Sequence, residues 1–257
     1  MLTESPGHGG RLAAQHGPGY DAVFSLGGDG TAIEIIAALS HSGPPVGILP
    51  GGTANVVART LGTPVRITRA VEMLLAGEEA RMDLGILSTG HRFMIGMGVG
   101  LDASTIAGAP AAFKRRFGFF AYVVAALKAF VRLEKFTVRL TIDGQVKEMR
   151  ASAVLIANFG AVMNELLVFG DGIQRDDGLL NACVYSPGNV IDAARILFKM
   201  TFRRFTPDPC IYYASGATFV IETDPPRLGQ ADGELIGDSP FTVTVEPLAA
   251  RVLVRRR

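Results

Sequence analysis

Two strand, glycine-loop, helix units stand in tandem near the start of the chain. The first joins the apolar run Asp21-Ala22-Val23-Phe24-Ser25-Leu26 to Gly27-Gly28-Asp29-Gly30-Thr31, and the helical spacing of Ile33, Ile35, Ile36 and Leu39 follows. The second joins Pro45-Val46-Gly47-Ile48-Leu49-Pro50 to Gly51-Gly52-Thr53, and then to a helix starting Ala54-Asn55-Val56-Val57-Ala58-Arg59. Strands joined through helices pair in parallel, because a parallel neighbour requires a crossover connection. Both loops should therefore emerge at the carboxyl ends of adjacent strands, where open α/β sheets bind their ligands.

The loop chemistry suits polyphosphate. Gly27, Gly28, Gly30 and Gly52 carry no Cβ, so backbone N–H groups can approach phosphate oxygens closely. Thr31 stands at the mouth of a helix whose free N–H groups and dipole favour an anion, and Thr53 and Asn55 place further polar groups at the second loop. Asp29 is the odd member: among phosphate-binding amides a carboxylate is repelled unless it holds a metal ion or takes a proton, which marks it as a candidate catalytic residue. Neither loop matches the P-loop or the Gly-x-Gly-x-x-Gly dinucleotide fingerprint. Taken singly, each would also read as an ordinary turn.

After residue 80 the pattern changes. Strand-like runs are expected at Arg81 to Leu87, Arg92 to Gly96, Phe136 to Ile142, Val146 to Ala157, Leu179 to Tyr185, Tyr212 to Glu222, Phe241 to Val245 and Arg251 to Val254, with an Asp143-Gly144 hairpin turn. Helices are expected at Thr68 to Ala76, at about 113 to 133 and at 189 to 203. The expected class is α/β: a Rossmann-like three-layer nucleotide-binding domain over residues 1–80, then a β-sandwich domain over 81–257.

A chain of 257 residues with a formal net charge of +1 gives no reason to expect nucleic acid as a partner. Cys183 and Cys210 are isolated, which suggests neither a disulfide scaffold nor a zinc site and fits a cytoplasmic location. No leader peptide or transmembrane run is evident; the longest apolar stretch, Phe117 to Leu127, is followed by Lys128. From Lys114 to Arg139 seven basic residues face one acid, Glu134, and Phe198 to Phe205 mixes Phe with Lys and Arg. Such segments suit peripheral contact with an anionic membrane surface; equally, they suit helices packed on their own domain with solvated basic faces.

In order, Gly27-Gly28-Asp29-Gly30-Thr31, Pro50-Gly51-Gly52-Thr53-Ala54-Asn55 with Ala58-Arg59, Gly98-Val99-Gly100-Leu101-Asp102-Ala103, Asp176-Asp177-Gly178-Leu179-Leu180 and Asp232-Gly233-Glu234 resemble the motifs of the diacylglycerol kinase catalytic domain family. That family includes bacterial lipid kinases and the sphingosine and ceramide kinases. The resemblance implies ATP and Mg²⁺ as cofactors, a lipid hydroxyl as acceptor in a cleft between the two domains, and a place at the inner face of the membrane; homodimerisation stays open. It also implies roles: Glu234 as proton acceptor, Asp29 as base or metal ligand, Thr3 and Glu34 beside the nucleotide, and Asp177 with carbonyls near Gln174 and Leu179 around a structural Mg²⁺.

Departures accompany the resemblance. The family's usual first strand and Asn-Pro-x-Ser/Ala-Gly loop do not precede Thr3; Ile33 replaces a common asparagine, and Val56 a frequent acid. An NAD kinase-like enzyme, or a non-catalytic lipid-binding relic, remains the alternative.

Overall fold

The computed structural model describes residues 1–100, 134–162, 167–170 and 172–256. The helix expected at about 113 to 133, with Lys114, Arg115, Arg116, Lys128 and Arg132, lies outside the described residues, as do Leu101, Asp102 and Ala103.

The N-terminal elements are α1 (His8–His16), β1 (Val23–Gly27), α2 (Asp29–Ala38), β2 (Val46–Pro50), α3 (Val56–Thr60) and α4 (Ile67–Leu75). β1 and β2 pair in parallel from Val23↔Val46 to Gly27↔Pro50, so the strands end level and their glycine loops emerge side by side. Every residue of β2 is buried, as expected of a parallel strand covered on both faces. Its Val46 and Ile48 pack with Ala32, Ile33 and Ile36 of α2, whereas Leu49 packs with Ala70 and Leu74 of α4. Helices on both faces make this part a three-layer α/β unit.

Among the described residues, nine strands follow before the last helix and five after it: β3 (Glu78–Leu87), β4 (Arg92–Phe93), β5 (Gly96–Val99), β6 (Phe136–Ile142), β7 (Gln145–Ala151), β8 (Ala153–Ala157), the short pair β9 (Ala161–Val162) and β10 (Leu167–Val168), β11 (Leu180–Tyr185), α5 (Val190–Phe202), β12 (Ile211–Gly216), β13 (Thr218–Asp224), β14 (Leu228–Ala231), β15 (Glu234–Asp238) and β16 (Phe241–Val254). Two sheets form the sandwich. One runs β16-β13-β6-β7, with β3 and β4 added beside β16; the other runs β12-β11-β8-β5-β14-β15. Between them lie Phe93, Met97, Phe136, Ile156, Phe219 and Phe241, all buried. Alternation along β6 aims Phe136, Val138 and Leu140 into this core.

β16 belongs to both halves. Its first part pairs with β13, and its end pairs in parallel with β2 through Val252↔Val46. β3 accompanies it antiparallel along both parts, with a register shift between Glu246 and Ala250 where Leu248 adopts φ 51°. The boundary read at residue 80 thus falls inside β3.

Strand ends account for the differences from expectation. The run Val146 to Ala157 is two strands, because the chain passes through buried Ser152 from one sheet to the other. Tyr212 to Glu222 divides likewise at Gly216-Ala217. Phe241 to Val245 and Arg251 to Val254, expected apart, are the two ends of one bulged strand. A continuous apolar run cannot reveal which sheet receives each half.

Candidate active site

The two glycine loops touch backbone to backbone. Gly51 N–H donates to the Gly27 carbonyl at 2.9 Å. A Cβ on Gly52 would stand 2.5 Å from Gly28 Cα, so no side chain fits between the loops. Asn55, buried and in the left-handed region at φ 50°, clasps the second loop: its Oδ1 accepts from Gly52 N–H at 2.8 Å, and its Nδ2 donates to the Gly52 carbonyl at 2.7 Å. Asn55 therefore shapes the loop with its side chain, and Thr53 is left exposed at the tip.

Asp29 ties the loops together. It is the first residue of α2, and its Oδ1 accepts from Val57 N–H in the first turn of α3 at 2.9 Å. A carboxylate there satisfies a helix-end donor and complements the local dipole. Thr31 packs against Gly27, whose Cβ would lie 3.3 Å from the Thr31 Cβ. Glu34, one turn further, accepts from Gly7 N–H through Oε1 at 2.7 Å and so anchors the start of α1.

The other wall comes from the sandwich. Asp232 and Gly233, at φ 48° and 92°, form the two-residue turn between β14 and β15, a conformation that Asp-Gly favours. The Asp232 carboxylate is pinned by three backbone donors: Met94 N–H to Oδ2 at 2.6 Å, Ile95 N–H to Oδ1 at 2.9 Å and Gly96 N–H to Oδ1 at 3.0 Å. Burial pushes this carboxyl up to about 6 against the pull of those donors, and the negative charge of Asp29 adds to the rise.

Pinning the turn places Glu234 over the first loop. Its Oε1 lies 4.0 Å from the position a Cβ on Gly30 would take. Gly30, Glu34, Arg92, Asp232 and Glu234 share the lining of a cleft of about 310 Å³ between the two halves of the chain. Arg92 is held by Glu246 in a two-pronged pair, Nε to Oε2 at 2.6 Å and Nη2 to Oε1 at 2.9 Å.

Other expected residues lie apart. Thr3 lines a separate groove beside α1 and β1, with Leu12 and Phe24. Asp177 turns Oδ1 onto Leu179 N–H of its own loop at 3.0 Å. Beside Gln174 and Asp177 stands an acid that sequence reading passed over. Asp83, fully buried in β3, accepts from Gly178 N–H and from Leu248 N–H, each at 2.7 Å, and its own N–H donates to the Arg175 carbonyl at 2.7 Å. Burial raises its pKa above the ordinary value despite the two backbone donors. A lone acid inside Met82-Asp83-Leu84-Gly85-Ile86-Leu87 was its sequence signal. Asp232 and Arg92 also went unassigned, although Asp232 stands within the Asp-Gly-Glu motif. Among the described residues no group of three or more His, Cys, Asp or Glu could hold a metal ion by protein ligands alone.

Comparison with known proteins bears on the whole chain. Residues 1–87 match the diacylglycerol kinase catalytic domain, and residues 96–254 match the YegS C-terminal NAD kinase beta sandwich-like domain. An uncharacterized protein of Synechocystis is 29% identical over 241 residues, covering 92% of this chain and 55% of its own length. A Staphylococcus epidermidis protein, provisionally named a lipid kinase, is 29% identical over 239 residues, covering 91% of this chain and 76% of its own. The chain therefore spans about half of the first relative and three quarters of the second. A solved Bacillus anthracis structure, provisionally named a diacylglycerol kinase, shares the fold with a TM-score of 0.83 at 23% identity, over 99% of this chain and 85% of that one.

Proposed function

The chain belongs to the family that joins a diacylglycerol kinase catalytic domain to a YegS-type C-terminal sandwich, and from that premise we propose that it transfers the γ-phosphoryl group of ATP to the hydroxyl of diacylglycerol or a related membrane lipid. The observation that carries this reading is the approach of Glu234 to Gly30, which sets a carboxylate from one half against a phosphate-type loop of the other.

The residues fit the groups the reaction needs. Side-chain-free contact between Gly28 and Gly52 keeps the loops clear of side chains beside the N-terminus of α2, where the phosphates of ATP would meet the N–H groups of the first helical turn. Asp29 would supply a hard oxygen donor to Mg²⁺, and the ion would offset the charge of the phosphates. Asp232 has its oxygens engaged by three N–H groups, so its part is to hold the turn that carries Glu234.

Glu234 is the candidate base. Exposed at the cleft, it receives the proton of the acceptor hydroxyl as that oxygen bonds to the γ-phosphorus and ADP departs. Gln174, Asp177 and Leu179 belong to the loop that Asp83 fastens, and a second Mg²⁺ at Asp177 would brace the same loop. Incubation with γ-labelled ATP and diacylglycerol in mixed micelles tests the proposal, with NAD as control acceptor: label in the lipid supports it, and label in NAD alone overturns it.

A further inference from the structure

The helix α5 turns apolar residues in both directions. Its inner face buries Ala193, Ile196, Leu197 and Met200 against the outer side of the second sheet. A surface helix ordinarily carries charged residues outside. Here every exposed position, Val190, Ile191, Ala194, Phe198 and Phe202, is apolar. Ile191 is 75% exposed and Phe202 61%, and the Phe198 and Phe202 rings lie with centroids 4.5 Å apart, tilted by 37°.

The charges of the helix sit on its flank and are matched there. Arg195 and Lys199 each reach Asp208 at 2.9 Å, and Arg195 also reaches Asp192 at 2.9 Å. Both acids are withdrawn from solvent, with side-chain exposures of 2% for Asp208 and 17% for Asp192. The charged residues that stay exposed at the helix end, Arg203 and Arg204, are basic, and the Arg204 guanidinium lies 6.0 Å from the Phe198 ring centroid.

We infer that α5 is a membrane-surface helix that lies in the interface of an anionic bilayer, with Phe198 and Phe202 in the acyl boundary and Arg203 and Arg204 among the headgroups. No helix among the described residues is long and apolar enough to cross a membrane, so α5 lies on the bilayer. From Ile191 to Phe202 the stripe runs about 16 Å along a single helix. That is too narrow for the roughly 800 Å² per partner of a stable protein interface. It is the shape an interfacial helix inserts, and adjacent arginines add attraction to anionic headgroups. The surface stands independently of the phosphoryl-transfer reading, since binding a bilayer needs neither ATP nor turnover.

Co-sedimentation with vesicles of phosphatidylcholine, alone or mixed with phosphatidylglycerol, tests it on the full chain. The wild type should sediment with the mixed vesicles and be released by added salt. Phe198→Ser with Phe202→Ser should lower partitioning by about tenfold or more through lost apolar burial, and Arg204→Glu should weaken binding to the mixed vesicles only. Thermal melts of the variants establish folding; should the double variant not fold, Arg204→Glu and the salt dependence decide. Equal partitioning by folded wild-type and double-variant protein would overturn the inference. So would a dimer in sedimentation velocity that the double variant loses, because a second copy would then cover this face.

Discussion

Glu234 Oε1 stands 4.0 Å from the place of a Gly30 β-carbon, although the two residues come from opposite ends of the chain. Three structural facts produce this approach. β16 stitches the sandwich to the α/β sheet through Val252↔Val46. Asp232 fastens the β14–β15 turn onto Met94, Ile95 and Gly96. The two-residue turn at Asp232 and Gly233 then brings Glu234 to the start of β15, facing the first loop.

Gly52→Ala should damage both the fold and nucleotide binding. The new methyl would meet Gly28 Cα at 2.5 Å, and backbone cannot move aside as a flexible side chain can. A loss of about 1–3 kcal/mol is expected for such overpacking. Urea unfolding and calorimetric titration with ATP measure the two effects; a variant of wild-type stability and affinity would separate the loops.

Asp29→Asn should spare the fold, because an amide oxygen can still accept from Val57 N–H. Turnover should fall and Mg-ATP should bind more weakly, with ATP affinity in EDTA little changed. If the variant binds Mg-ATP as the wild type does, Asp29 is no metal ligand.

Asp83→Ala should be strongly destabilising. It strands the N–H groups of Gly178 and Leu248 in a buried place, at about 1–3 kcal/mol for each unsatisfied donor. Denaturant unfolding checks this, and hydrogen exchange should show the earliest opening at residues 175–178 and 247–249. Uniform exchange across the sheet would contradict the role of Asp83 as the fastening between that loop and β16.

Asp232 should titrate near 6, observed at its carboxyl carbon by NMR. Its folded-state pKa lies above the ordinary 3.8, so the protonated form favours the fold. That contribution is complete below about 4 and is lost as pH rises through about 6. Asp29→Asn should lower the midpoint by removing a neighbouring negative charge. A midpoint near 4 in the wild type would mean that the three backbone donors outweigh burial.

The α/β half was legible because its signals are local. Gly27-Gly28-Asp29-Gly30-Thr31 and Gly51-Gly52-Thr53 each carry strand, turn and helix in one stretch, and α4 and α5 appear within about a residue of their periodic patterns. What escaped depends on distant pairing. Ser152 and Gly216-Ala217 look like strand interiors until the chain is seen to change sheets. Asn55 is a case of shorter range: its amide clasps Gly52 three residues back, a side-chain choice that polarity alone does not report. Asp83 and Asp232 acquire meaning only from the backbone donors that distant segments bring to them.

The central claim is that Glu234 takes the proton of a lipid hydroxyl beside the Gly30 loop. The most direct measurement compares wild-type and Glu234→Gln protein for transfer of label from γ-labelled ATP to diacylglycerol in mixed micelles, with ATP affinity measured in parallel. The account predicts that the variant folds, binds ATP as the wild type does, and loses about 10²- to 10⁴-fold in lipid phosphorylation. Wild-type turnover by Glu234→Gln would contradict it.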